Sequence, residues 1–462
     1  MKILKAEELK TKSKILHEAL RNYGQLRDTE KPIVVSAILL ALCYKDFRIE
    51  YLTGDNQNTD GHKIFQALSD YMEDSRMKSN VEKEIVLSQF NIVKDRIILN
   101  QNDHRLGKTP LKYFAEFLRD YIFPAIISNI EEDILGNFYS EFIRFGGGDG
   151  QPLGVVLTPK HITELFCDLV DLKPTDNVFD PCCGTGTFLV SAMHKMILEA
   201  DTEQIESIKH KQLHGIEIRE DMFAIASTNM ILRGDGRSNL LNVDFLKEKP
   251  ETLREERFTV GFMNPPYSQA KGKDTTHLSE LHFIKHLLDC LDNNARCVVI
   301  VPQSAMVGKT KWDKKVKEQI LKSHTLESVI TLNKETFYGV GVNPCIAVFT
   351  AHKPHPSNKD CKFINFEDDG FVVSKHMGLV RTKRAIERKL QLLDCWLDNK
   401  PAGTKFMVQT TVEASDEWLH SFYYFNDEIP TEADFEKTIA DYLTFEFSMI
   451  MQGREYLFAN KS

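Results

Sequence analysis

The sequence predicts an α/β protein: a doubly wound, mostly parallel sheet flanked by an N-terminal α-helical domain and a C-terminal helical tail. Three observations predict it. Short apolar runs alternate with helical periods from about residue 178 to about residue 350. The first of those runs, VFD, ends in a glycine-rich turn that opens a helix. The stretches on either side repeat their apolar residues at three and four. Alternating strands and helices imply parallel strands joined by right-handed crossovers, with ligands held at the carboxyl ends of the strands.

The N-terminal 1–145 reads as helical because LKYFAEFLRDYIFPAII has a helical period and Pro and Gly are sparse. GGGDGQPLG, residues 146–154, carries five glycines in nine positions and marks a boundary. The sheet domain is expected over 151–370. Its strands are NVFD, LHGIEI, SNLLNVDFL, FTVGFMNPPY, CVVIVPQS, ESVITL and NPCIAVFTA, with helices from Thr187, from Arg219, from Ser279 and around Lys314. After about Asp369 the pattern returns to helix, so 371–462 is expected to be a helical, partner-docking region. There RTKRAIERKLQLLDCWLD is amphipathic, and TEADFEKTIADYLTFEFSMIM starts at a plausible cap, Thr431. In that last segment Phe435, Ile439, Leu443, Phe447 and Ile450 form one stripe, and Tyr442, Phe445 and Met449 another. Two stripes are more than one docking face requires, which fits either a partner helix or packing on the N-terminal domain.

Composition narrows the function. A chain of 462 residues, 42% apolar and 27% charged, with 29 Phe, can bury two or three cores and is not a disordered polyampholyte. The longest apolar stretch, residues 34–44, is half a bilayer span, and MKILKAEELKTKSK lacks an apolar core, so no membrane and a cytoplasmic location are expected. Nine cysteines without a C-x-x-C spacing read as reduced thiols, and no metal site is expected. A net charge of −9 means that any nucleic-acid contact is local or shared with a partner. One local patch exists, KTKWDKKVKEQILK, residues 309–322, with six lysines around Trp312; a solvated helix face is its simpler reading.

The chemistry gathers at the predicted strand ends. In VFDPCCGTGTFLV, Gly184 and Gly186 let the backbone approach a ligand, and the helix amino end offers unpaired N–H groups. A dinucleotide fingerprint would want glycine where Leu189 stands, and an acid nearer than Glu217. Asp180, Glu217 and Asp244 end three successive strands, where they would frame one nucleoside-like ligand, Glu217 at the ribose and Asp244 at the adenine. Singly, each acid is as readily a helix cap. The sharpest signal is Asn264-Pro265-Pro266-Tyr267, directly after FTVGFM. Two prolines stop the strand and stiffen the loop. An exocyclic amine on an aromatic ring is a poor nucleophile until its N–H bonds are held and its lone pair localised. The Asn264 oxygen and the Pro265 carbonyl can accept those bonds, and Tyr267 can stack on a base rotated out of the duplex.

DPCCGTG, the Glu217 strand, Asp244 and NPPY, in this order, resemble the S-adenosylmethionine-dependent amino-methyltransferases. LTPKHITELF and ETFYGVGVNPCIAVF are similar, more particularly, to the N6-adenine DNA methyltransferases that form the modification subunit of type I restriction-modification systems. The resemblance covers roughly 135–366. It implies the methyltransferase type of sheet, S-adenosyl-L-methionine as cofactor, and methylation of a flipped-out adenine in double-stranded DNA. It also places Thr158 and Pro159 at the methionine end of the cofactor, Asp180, Gly184 and Gly186 at its amino-acid portion, Glu217 at the ribose and Asp244 at the adenine. Asn264, Pro265, Pro266 and Tyr267 then hold the target base. The family more often has small residues where Cys182 and Cys183 stand, and an aromatic where Leu157 stands.

Enzymes of the resembled family read their site through a further domain of a hundred or more residues, and fewer than a hundred follow the predicted sheet; the resemblance therefore implies a separate specificity subunit, with two copies of this chain per complex. GKT at 107–109 and at 308–310 lacks the first P-loop glycine, having Asn102 and Gln303 instead, which leaves cleavage or translocation to a restriction subunit. The alternatives are an amino-methyltransferase for RNA adenine or protein glutamine, and a non-catalytic assembly subunit.

Overall fold

A computed structural model of the protein describes residues 6–74, 80–128, 138, 157–234, 239–270, 272–338, 340–374, 378–426 and 431–451. The glycine-rich stretch 146–154 lies outside the described residues. Residues 1–423 form one compact unit and residues 424–462 a second.

The strands are β1 (Val178–Asp180), β2 (Leu213–Ile216), β3 (Asn239–Leu241), β4 (Val260–Met263), β5 (Arg296–Pro302), β6 (Thr325–Leu332), β7 (Pro344–Thr350), β8 (Cys361–Phe366), β9 (Phe371–Ser374), β10 (Gly378–Arg381) and β11 (Met407–Thr410). Nine of them form one sheet in the order β11-β8-β6-β7-β5-β4-β1-β2-β3, and β9 with β10 makes a separate hairpin. Strands β3, β2, β1, β4 and β5 run parallel, as the alternation of strands and helices predicts. β7 is antiparallel to both β5 and β6. The described residues between Leu332 and Pro344 hold no helix, the usual crossover between parallel strands.

The stretch after Asp369 departs from the expected run of helices. It opens with the β9–β10 hairpin, and β11 pairs antiparallel with β8 to cover that edge. FVVS and MVQT are too short to announce themselves by period; FVVS pairs with β10 alone, while the uncovered edge at β8 recruits MVQT. Helices Arg384–Trp396 and Glu432–Met451 form as expected.

Alternation along the strands divides the core. In β5, Val298 and Ile300 join one buried cluster, while Cys297, Val299 and Val301 join the other. A period of two buries both faces of a sheet covered by helices on each side. The first cluster continues into the N-terminal helices. The apolar helix Glu30–Cys43 is buried nearly all round and packs on helix Glu220–Leu232, which flanks the sheet. Among the described residues no helix is long and apolar enough to cross a membrane, and all nine cysteines are free thiols.

In helix Pro110–Phe117, Thr109 caps the start by accepting the Lys112 N–H at 3.2 Å. A wide π turn, Leu118–Ile122, follows and leads into Phe123-Pro124, where a proline without an N–H interrupts the regular ladder. The second GKT behaves alike: Gly308 turns left-handed (φ 62°) and Thr310 forms a reciprocal cap with Asp313. Both matches are turn-and-cap units.

Candidate active site

The strand register brings the sequence-predicted residues to one edge. Asp180 lies beside Gly215, so Glu217 stands two residues beyond it on the neighbouring strand. Ile216 lies beside Leu241, which puts Asp244 just past the end of β3, and Phe179 beside Gly261 puts Asn264 past the end of β4. The carboxyl ends of β4, β1, β2 and β3 therefore carry Asn264, Asp180, Glu217 and Asp244 side by side.

The glycine turn is built for close approach. Gly184 (φ 54°) and Gly186 (φ 79°) both occupy the left-handed region. A Cβ on Gly184 would meet nothing within 4 Å, so open space lies over it; one on Gly186 would sit 3.5 Å from the Ala226 Cβ. The turn rests on helix Glu220–Leu232, where the fully buried Asn229 donates through Nδ2 to the Thr185 carbonyl at 2.7 Å. The close helix–strand approach is made from the other side than a dinucleotide fingerprint would have it. Leu189 is fully buried, and Gly215 on β2 makes room: a Cβ there would meet Leu240 Cδ2 at 2.6 Å, Leu189 Cδ1 at 3.0 Å and Cys183 Sγ at 3.1 Å.

Two buried carboxyls flank this turn. Asp180 Oδ1 accepts the Cys182 N–H at 3.1 Å, and Oδ2 is buried with no hydrogen-bond partner among the described residues. Burial pushes the Asp180 carboxyl up to about 8, with the charge of Glu217 adding to it. Burial also raises Glu217, against the pull of two backbone N–H groups: Gly184 donates to Oε2 at 2.9 Å and Arg219 to Oε1 at 2.8 Å. The Arg219 guanidinium instead pairs with Asp221 at 2.7 Å. Asp244 serves as a cap, accepting the Leu246 N–H at 3.2 Å, and its other oxygen lies 3.2 Å from Lys247 Nζ.

Beyond β4 the loop is pinned at both ends. Asn264 Nδ2 donates to Thr158 Oγ1 at 2.9 Å, which fixes the orientation of the amide and brings Thr158-Pro159 to the loop. Tyr267 Oη donates to the Ile300 carbonyl at 3.5 Å, and its ring meets Phe337 edge-on at 6.1 Å. Glu280 Oε1 accepts the Ser268 N–H at 2.7 Å, holding the turn where the chain leaves the motif. Pro265 is buried and Pro266 exposed.

Sequence reasoning missed the residues that close the circle. His161 stacks on Phe371 at 4.0 Å. Asn333 Nδ2 donates to Asp369 Oδ1 at 2.9 Å and to the Phe371 carbonyl at 3.1 Å. Three contacts, Asn264 to Thr158, His161 to Phe371 with Asn333, and Phe337 to Tyr267, are thus joined by the short chain segments 158–161 and 333–337. The segments LTPKHITELF and ETFYGVG stood out in the sequence, but nothing local shows that His161 and Asn333 meet over Phe371. A cavity of about 410 Å³ near Cys167, Ser191 and His194 is lined by neither the glycine turn nor the Asn264 loop. Among the described residues no cluster of His, Cys, Asp and Glu could hold a metal ion.

Residues 130–444 match the N-6 DNA Methylase family. The chain is 50% identical over 457 residues to the type II restriction enzyme and methyltransferase RM.BcgI of Heyndrickxia coagulans, covering 98% of this chain and 72% of that protein. It is 22% identical to the methylase subunit of the type I restriction enzyme EcoEI of Escherichia coli, over 61% of this chain and 56% of that one. The fold matches a type I restriction-modification methyltransferase subunit from Streptococcus thermophilus with a TM-score of 0.58 at 15% identity, covering 88% of this chain and 96% of the other.

Proposed function

Because the chain belongs to the N-6 DNA methylase family and is an adenine-specific DNA methyltransferase of a restriction-modification system, we propose that it methylates N6 of an adenine rotated out of double-stranded DNA, with S-adenosylmethionine as donor and a separate specificity subunit reading the site. The observation that carries this reading is the placement of the Asn264 amide. It is tied to Thr158, beside the glycine turn, at the edge where the buried acids end their strands.

The residues present fit the cofactor. Asp180 offers an unpartnered buried oxygen, and the space over Gly184 admits a ligand against the backbone. Thr158 and Pro159 would hold the methionine end, Asp180, Gly184 and Gly186 the amino-acid portion, Glu217 the ribose hydroxyls and Asp244 the adenine. Glu217 keeps lone pairs for this role after accepting two N–H bonds. Asp244 would do so alongside its capping bond. When bound, S-adenosylmethionine supplies an electrophilic methyl group on a sulfonium.

The chain's own part is to prepare the acceptor. Asn264 Oδ1 and the Pro265 carbonyl would accept the two amine N–H bonds, so that the nitrogen turns towards tetrahedral geometry and its lone pair is freed. The paired prolines keep these acceptors from relaxing away. Tyr267, braced by Phe337, holds the base plane. The extra proton leaves to water once the methyl group has moved, and no strong base is required.

In the assembly, two copies of this chain would flank one specificity subunit, with cleavage or translocation assigned to a restriction subunit. Asn264→Ala is expected to lower methyl transfer at least ~100-fold while the cofactor Kd stays within a few-fold, because the lost bonds matter mainly in the transition state. N6-methyladenine counted by mass spectrometry after digestion of the DNA, together with calorimetry of the cofactor, checks this. Retained transfer would remove Asn264 from the role.

A further inference from the structure

We infer that Lys309, Lys311, Lys314 and Lys315, with Trp312 between them, form a contact surface for the phosphate backbone of duplex DNA beside the Asn264 loop. The inference rests on the proposed methylation of DNA and specifies where this chain touches its substrate.

Topology puts the patch at the right edge. Val299 of β5 lies beside Met263 of β4, so β5 leaves the sheet where the Asn264 loop begins. A short helix, Gln303–Val307, and the left-handed Gly308 then turn the chain into helix Lys311–Ser323. β6 is antiparallel to β7, as β5 is, so β6 runs in the same direction as β5. The helix must therefore carry the chain back to the opposite edge, and its first turn stands at the carboxyl edge.

Packing decides which side chains face outward. Val316, Lys317 and Ile320 are buried. The Lys317 ammonium spends its three donors on the carbonyls of Met306, Val307 and Asp416, and it lies 4.6 Å from the Trp418 ring centroid. With one lysine anchored inward the helix cannot roll, and Lys309, Lys311, Lys314 and Lys315 are left exposed. Trp312 is 37% exposed, with Lys315 Nζ at 5.9 Å from its ring.

Charge bookkeeping separates this patch from an ordinary solvated face. None of the four exposed lysines has a carboxylate partner within 4 Å among the described residues, whereas Lys285 pairs with Asp289 at 2.6 Å and Lys359 with Glu327 at 2.8 Å. The one acid among them, Asp313, is turned back onto Thr310 at 2.7 Å to cap the helix. Four uncompensated cations at a helix amino end, in a chain of net charge −9, concentrate positive potential where the substrate must lie. Phosphates are the matching chemistry, since each neutralised contact releases condensed counterions. An exposed indole among them suits a sugar or an unstacked base.

The test is fluorescence anisotropy of the full chain with a labelled duplex across a range of salt. Replacing all four lysines by Gln is expected to flatten the plot of log K against log salt by roughly 2–4 and to weaken binding at least ~10-fold. The four Arg replacements should preserve both. Each single Gln replacement should flatten the slope by up to about 0.9, which keeps the test open even if the quadruple variant folds poorly. Lys400→Gln, at a lysine paired with Asp394 at 3.0 Å, serves as the control and should leave the slope unchanged. An unchanged slope in the single and quadruple Gln variants, with methylation by the unaltered chain intact, overturns this inference alone. Absence of methylation by the unaltered chain assembled with its specificity subunit overturns the reading beneath it.

Discussion

A carboxyl buried as completely as that of Asp180 holds its proton up to a pH of about 8 unless a cation arrives beside it. In the unfolded chain the same group titrates near pH ~4. Between those values the folded protein keeps a proton that the unfolded chain has released. The stability this group contributes is therefore complete below pH ~4 and is lost as the pH rises towards about 8. Asp180→Asn keeps the shape and cannot ionise. We expect denaturation curves of the variant to lose much of that pH dependence, with a gain of about 1–3 kcal/mol near pH ~8 and weaker binding of the cofactor. Parallel pH profiles of the two proteins would contradict the assignment. Asn264 differs in kind: its neighbours orient it rather than perturb it, and its contribution appears only when an amine is bound.

At the scale of elements, the glycine turn depends on a helix well separated from it in sequence. Asn229 holds the Thr185 carbonyl, and Ala226 lies under Gly186, so helix Glu220–Leu232 sets the height of the turn. Asn229→Ala would leave that buried carbonyl unpaired. The expected results are a loss of about 1–2 kcal/mol in stability and a roughly 3–10-fold weaker cofactor affinity, with the KM for DNA unchanged. Denaturant titration and separate saturation of each substrate distinguish this from general unfolding, which would move both constants. The turn and the Asn264 loop were legible in the sequence because their glycines and prolines act on their own backbone. The bracing by Asn229, the stacking of His161 on Phe371 and the tie from Asn333 were not, because each joins segments whose residues have no local reason to meet.

Over the whole molecule, one buried cluster runs from the sheet into the N-terminal helices, and residues 1–423 form one compact unit. Helix Glu432–Met451 belongs to the other unit and buries none of its side chains; Phe435, Ile439, Leu443 and Phe447 are each more than half exposed. An apolar surface of that extent asks for a partner. If the proposed specificity subunit docks here, removing the residues after Asp427 is expected to abolish co-purification with it while the melting temperature of the rest changes by less than about 2 °C. Co-purification that survives the deletion would place the docking elsewhere. The sequence by itself determined the alternation of strands β1 to β7 with helices, the glycine turn, the Asn-Pro-Pro-Tyr loop and the edge on which they gather, because period, turn chemistry and the handedness of crossovers are local rules. Only the tertiary structure decided that β7 runs backwards, that hairpin β9–β10 and strand β11 follow the sheet, and that Asp244 caps a turn. It alone decided, too, which lysines of the 309–322 segment face solvent. Those outcomes turn on edge pairing, burial and contacts between distant residues, which no stretch of sequence carries alone.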